Sequence, residues 1–135
     1  MFMKNALKEA QKASNRGEIP VGAVIVCDGK IISTASNKVE ELKNPLAHAE
    51  ILAIQEACRV LNRKFLTDCD IYVSLEPCDM CAKAISLARI RRVYFGAYDT
   101  KKLYQTKNHT PDVYGGICET ECMDLIQGFF KTLRG

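Results

Sequence analysis

Two cysteines at a three-residue spacing, Cys78 and Cys81, are the residues in this sequence best placed to do chemistry. They stand in Pro77-Cys78-Asp79-Met80-Cys81. On a helix, residues i and i+3 share a face, so both sulfurs can reach one ion. At a helix start the positive end of the backbone dipole favours the thiolate, the form that binds zinc. Taken alone, the pair has three readings: a metal site, two packed core cysteines, or a redox motif. His48-Ala49-Glu50 shifts the balance. It follows the helix-breaking Pro45 and opens an apolar stretch, which puts His48 at a second helix N-terminus. A lone histidine there caps or packs as readily as it binds metal. Joined to the cysteines it completes three protein ligands, and a catalytic zinc keeps its fourth position for water. Glu50 is a carboxylate next to this set without belonging to it, the residue type that moves protons at such a site.

The elements that must position these residues follow from periodicity. Phe2, Ala6, Leu7, Ala10 and Ala13 recur at helical spacing, and Arg16-Gly17 closes that helix. Residues 21–27 form an apolar, β-branched run, Asp28-Gly29 is a two-residue hairpin signal, and residues 30–35 return as a second strand. After Asn44-Pro45 a helix is predicted from His48 to about Leu61, with Ala49, Leu52, Ala53, Glu56 and Ala57 on one side. Residues 70–75 predict a third strand. Pro77 suits the first turn of a helix through Cys81, Ala84, Ile85 and Ala88. Residues 92–97 and 113–117 predict two further strands, and 119–133 a closing amphipathic helix, whereas 99–111 is polar and irregular. Strands separated by helices favour parallel pairing, with both sheet faces covered. The expected architecture is α/β: a three-layer α/β/α sandwich around a five-stranded mixed sheet whose first hairpin is antiparallel. Residues 1–135 are enough for one such domain. Ligands should gather at strand C-terminal ends and helix N-termini, where the Pro77-Cys78 turn lies.

Composition excludes several classes. With 47% hydrophobic and 26% charged residues the chain has the balance of a globular protein rather than a disordered one. No apolar run approaches the roughly 18 residues a membrane span needs, and the charged, helix-patterned start is unlike a signal peptide. A cytoplasmic location without a membrane partner is expected. Seven cysteines, an odd number in a reducing compartment, then read as buried hydrophobes, metal ligands or nucleophiles rather than a disulfide frame. The net charge of +3 is too small for strong nonspecific nucleic-acid binding, so any RNA contact must rest on a local patch. Cys118 and Cys122, four apart on the last predicted helix, read mainly as core. With His109 they are the candidate fourth ligands of a non-catalytic structural zinc module, a reading that leaves Glu50 without a purpose. Asn108-His109-Thr110 matches a glycosylation acceptor but carries no weight without secretion.

The joint pattern of His48-Ala49-Glu50 and Pro77-Cys78-x-x-Cys81 resembles the signature of zinc-dependent nucleobase deaminases. The resemblance runs through Glu18-Ile19-Pro20-Val21-Gly22-Ala23-Val24, Asn37, Leu75-Glu76-Pro77, Arg89-Ile90, Phe95-Gly96-Ala97, Asp99 and Phe129-Phe130. It is to the bacterial tRNA adenosine deaminase family within the cytidine deaminase-like superfamily. The zinc motif alone marks the superfamily; the Ile19-Pro20-Val21-Gly22-Ala23 start and the Glu121-Cys122…Phe129-Phe130 helix mark the tRNA enzymes.

That resemblance implies a homodimer with one zinc per chain on His48, Cys78 and Cys81, converting adenosine to inosine at the anticodon wobble position. Glu50 would carry protons to the ring nitrogen and the departing ammonia, and the Cys78 backbone N–H would steady the attacking oxygen. The convergence of residues 48 and 50 on one ion is itself implied by the resemblance, because regular helix geometry does not put them on one face. Asn37 would hydrogen-bond the flipped base, Ile19 line its pocket and Phe130 close it. Their bland readings are a turn residue and two core residues. Glu76 reads as a structural acid at the helix start.

One segment departs from the family: residues 100–107, Thr-Lys-Lys-Leu-Tyr-Gln-Thr-Lys, replace a Gly-rich stretch that borders the RNA and the dimer contact. Lys101 and Lys102, with Arg89, Arg91 and Arg92, would meet phosphate there and Tyr104 would stack on a base; a merely solvated basic loop is the alternative. Free-base guanine and cytosine deaminases share the zinc site and are the competing enzymes. Guanine deaminases show Gly-Pro-Phe-Gly where this chain has Ile19-Pro20-Val21-Gly22.

Overall fold

Asp28 and Gly29 both adopt positive φ, 54° and 74°, as a two-residue hairpin turn matched to strand twist requires, and Cys27 faces Lys30 across it. The turn joins β1 (Gly22–Cys27) to β2 (Lys30–Ser36). The computed structural model describes residues 1–99 and 111–134. In chain order the remaining elements are α1 (Phe2–Asn15), α2 (Ala49–Leu61), β3 (Cys69–Leu75), α3 (Asp79–Leu87), β4 (Arg92–Ala97), β5 (Asp112–Tyr114) and α4 (Glu119–Arg134). Among the described residues no helix is long and apolar enough to cross a membrane.

The strands form one five-stranded mixed sheet in the order β2-β1-β3-β4-β5. Helices α1 and α4 pack on one face, α2 and α3 on the other. The expected sandwich is present, but one pairing differs from expectation. β1 is antiparallel to β3 as well as to β2, and only β3–β4 and β4–β5 are parallel. The crossover through α2 does make β2 and β3 run the same way. It steps over β1, however, and a crossover fixes strand direction without fixing which strand becomes the neighbour.

Three smaller details also differ. Pro77 stands outside α3: Cys78 is the extended N-cap, at φ −69° and ψ 173°, and the helix begins at Asp79. β5 stops at Tyr114 because Gly115-Gly116 follows, with Gly116 at φ +80°. Cys118 precedes α4 at φ 56° instead of lying on it.

Small residues bring the layers close. Ala49, Ala53 and Ala57 of α2 and Ala6, Ala10 and Ala13 of α1 are fully buried against the sheet. At Gly22 the approach is closest: a Cβ there would lie 2.1 Å from the Ala6 carbonyl oxygen and 2.5 Å from the Ala10 nitrogen. Those atoms are helix backbone and cannot rotate away. Gly22→Ala should therefore lift α1 off the sheet and cost about 3 kcal/mol, in the range of core overpacking. Thermal unfolding should show a fall in Tm of roughly 10 °C. An unchanged Tm would mean that α1 does not hold this position.

On the α1/α4 side, Tyr72, Tyr94 and Tyr114 are register partners on β3, β4 and β5. Their rings stack with centroids 4.5 Å and 5.1 Å apart. Phe2 of α1 closes the row against Tyr72 at 5.4 Å.

Candidate active site

Two helix N-termini meet over the sheet, and each presents a ligand side chain from its N-cap. His48 caps α2 with extended backbone at φ −73° and ψ 151°, and Cys78 does the same for α3. The His48 side chain makes no capping hydrogen bond to its own helix and is directed elsewhere. His48 Nδ1 lies 3.7 Å from Cys78 Sγ and 3.6 Å from Cys81 Sγ. The N-cap position answers the geometric objection raised by the sequence. His48 stands outside the helical repeat, so its imidazole need not follow the spacing that separates residues 48 and 50.

The donor set fits zinc. A tetrahedral ion with bonds of about 2.3 Å to sulfur and about 2.0 Å to nitrogen holds those ligands about 3.6 Å apart. The observed separations of 3.7 and 3.6 Å meet that value. Among the described residues neither Cys118 nor Cys122 joins the group: Cys122, on α4, is buried in the core. Three ligands with no fourth among the described residues are the pattern of a catalytic rather than a structural site.

Electrostatics favour the same chemistry. The Cys78 thiol is pulled down to about 5, first by the hydrogen bond from Cys81, then by backbone N–H groups and the nearby His48. Cys81 is held up by that same bond to Cys78 and by burial, so Cys78 ionises first. Glu50, in the first turn of α2, is 3% exposed, and its Oε1 has no hydrogen-bond partner among the described residues. Burial pushes its carboxyl up to about 7, with the Cys78 charge adding and a backbone hydrogen bond opposing. An unpartnered buried carboxyl oxygen is costly unless a ligand, ion or water serves it.

A cavity of about 530 Å³ opens above these residues, with His48, Glu50 and Cys78 in its lining. Asn37, 6% exposed, also lines it, and its Oδ1 accepts the Ala49 N–H at 2.8 Å. That bond fixes the amide orientation and leaves Nδ2 as the donor for a ligand. Ile19 and Phe130 line the same cavity at 44% and 40% exposure, so neither is a core residue. Glu76 Oε1 accepts the Asp99 N–H at 3.0 Å, tying the end of β4 to the turn before α3 as a structural acid would.

Sequence reasoning gave no role to Glu18, which the structure places in the cavity wall at 2% exposure. Its carboxylate accepts the Glu40 and Glu41 N–H groups at 3.1 and 2.8 Å. It thereby holds the loop that leads from Asn37 to His48. Of the arginines considered for phosphate, Arg91 makes a two-point pair with Asp70, Arg92 approaches the same carboxylate at 3.8 Å, and Arg89 lies over the Phe65 ring. Arg91 and Arg92 sit at the sheet end opposite the cavity. Lys101, Lys102, Tyr104 and His109 lie outside the described residues.

The fold and the three-ligand site define a zinc-dependent deaminase: the cytidine and deoxycytidylate deaminase zinc-binding region matches residues 1–97, and the chain belongs to that family. Within it the similarity is to tRNA-specific adenosine deaminases. The one from Aquifex aeolicus is 60% identical over 143 residues, covering 98% of this chain and 94% of that protein. A solved tRNA:A34 deaminase, described for A-to-I editing at the wobble position of transfer RNA, superposes with a TM-score of 0.88 at 46% identity. That match covers 92% of this chain and 97% of the other. A guanine deaminase from Bacillus subtilis is also similar, with a TM-score of 0.69 and 37% identity over 78% of this chain and 83% of the other.

Proposed function

We propose that this chain, acting as one domain, deaminates adenosine to inosine at the wobble position of a tRNA anticodon loop. The observation that carries this reading is the near-full-length similarity to tRNA-specific adenosine deaminases, joined to a cavity lined by His48, Cys78 and Glu50. His48, Cys78 and Cys81 hold one zinc per chain. When bound, that ion supplies the Lewis acidity that makes a water nucleophilic near neutral pH.

The chain's own residues do the rest. Glu50 takes a proton from water and returns protons to the ring nitrogen and the departing ammonia, a role suited to a carboxyl that titrates near 7. The Cys78 N–H, one of the helix-start donors that no intrahelical carbonyl serves, steadies the attacking oxygen. Asn37 Nδ2 donates to an acceptor on the base, and Ile19 and Phe130 supply apolar walls. A base inside the anticodon loop reaches this cavity only after it swings out of its stack.

The test compares an adenosine-bearing anticodon stem-loop with free guanine and free cytosine. Inosine should form in the stem-loop, and binding should weaken steeply with salt because phosphates are neutralised by lysine and arginine. Lys101→Glu with Lys102→Glu should raise KM for the stem-loop and leave zinc content unchanged. Efficient turnover of free guanine or cytosine, with none on the stem-loop, would replace this reading with that of a free-base deaminase. The similarity to a guanine deaminase makes that the outcome to exclude.

The protein is proposed to act as a cytoplasmic homodimer, with α3 at or near the interface. Leu87, at the end of α3, is 64% exposed, and Ile51 and Ile54 of α2 lie beside it, half-buried, around one shallow apolar depression. A second copy would cover that surface and extend the RNA-binding face. Light scattering should give twice the chain mass; a monomer at micromolar concentration would refute the dimer.

A further inference from the structure

We propose that Cys27 and Cys69 are a peroxide-reactive thiol pair that closes into a cross-strand disulfide, at a site separate from the metal ligands. Cys27 ends β1 and Cys69 opens β3, and the two are direct register partners. Opposed Cα atoms in an antiparallel pair stand about 4.5–5.5 Å apart, inside the roughly 4.4–6.8 Å window of disulfides. The two sulfurs and a carboxylate oxygen of Asp68 all lie within 4.8 Å of one another.

Arg63 spans the cluster. Its Nη2 donates to Cys27 Sγ at 3.9 Å, Cys69 Sγ at 3.8 Å and Asp68 Oδ1 at 2.5 Å. One guanidinium is thus shared by both sulfurs and the Asp68 carboxylate. Both thiols donate to Asp68, Cys27 at 3.4 Å and Cys69 at 3.6 Å, so their protons have an acceptor.

Exposure sets the order of events. Cys27 is half-buried and lines a cavity of about 700 Å³ together with Arg63 and Asp68. Cys69 is fully buried, and burial holds its thiol up to about 12. Cys27 is therefore the attacking thiol and Cys69 the resolving one. The Cys27 thiolate attacks a peroxide oxygen; the S–O bond forms, the O–O bond breaks, and the leaving oxygen departs as water with the displaced proton. Cys69 then attacks the sulfenic sulfur, the S–O bond breaks, and a second water leaves. Two thiols and one hydrogen peroxide yield one disulfide and two waters.

The experiment treats zinc-loaded protein with hydrogen peroxide, alkylates the remaining thiols and maps peptides by mass spectrometry. A Cys27–Cys69 cross-linked peptide, lighter by two hydrogens, is expected. Cys27→Ala should abolish it with zinc content unchanged, and Arg63→Gln should slow its formation about tenfold as both sulfurs lose the guanidinium beside them. Full alkylation of Cys27 after peroxide, accumulation of its sulfinic acid without a cross-link, a Cys27 bridge to another cysteine, or equal rates in wild type and Arg63→Gln would each overturn the proposal.

Discussion

Glutamine in place of Glu50 is expected to lower kcat by roughly 10²–10⁴-fold, the usual contribution of a positioned general acid–base, while zinc content holds and Tm does not fall. The side chain is 3% exposed, and its Oε1 has no partner among the described residues. Glu50→Gln keeps the shape and the acceptor oxygen, so packing and any hydrogen bond to that oxygen survive. Only the exchangeable carboxyl proton is lost. Zinc should stay, because the ligand atoms are those of His48, Cys78 and Cys81. Inosine formation on the stem-loop measures the rate, and atomic absorption measures the metal. A fall of less than about tenfold would take the proton-transfer role away from Glu50.

Alanine in place of Cys78 is expected to remove both metal and activity. Three side chains make the site, and Cys78 contributes the sulfur that ionises most easily. Zinc bound only by the folded chain stabilises it by mass action, about 4 kcal/mol when free zinc is a thousand times its dissociation constant. At this chain length that corresponds to a Tm difference of roughly 10–15 °C. Wild type should lose that increment when a chelator is added, and Cys78→Ala should melt at the same temperature with or without it. The chelator comparison separates lost ligation from lost packing, since a packing defect lowers both curves alike. Stoichiometric zinc in a His48→Ala, Cys78→Ala double variant would show that the metal lies elsewhere.

The candidate ligands were legible as a group because zinc accepts few residue types and because the i, i+3 spacing from the N-cap Cys78 to Cys81 brings both sulfurs together. Their meeting with His48 was not legible from spacing. It depends on two N-caps arriving side by side, which only the order of strands decides. The same limit hid the neighbour of β3, since a helical crossover gives direction and leaves adjacency open. Asp28-Gly29 was readable because its backbone conformation is demanded locally. Glu18 was not, because a carboxylate that bonds N–H groups 22 and 23 residues away looks in sequence like any surface acid. Asn37 was singled out through resemblance, and its fixed amide orientation is visible only once Ala49 lies beside it. The pairing of Cys27 with Cys69 was equally out of reach, being a product of strand register.

The chain contains five tyrosines and no tryptophan, and three of those tyrosines are the stacked row on β3, β4 and β5. Phenol rings with centroids 4.5 Å apart and planes 10° from parallel have transition dipoles close enough to couple. Near-ultraviolet circular dichroism and tyrosine emission therefore report on this half of the sheet without any introduced label. Both signals change if β4 slips by one residue against β3, because such a slip sends alternate side chains to opposite faces. The protein carries its own optical gauge of strand register.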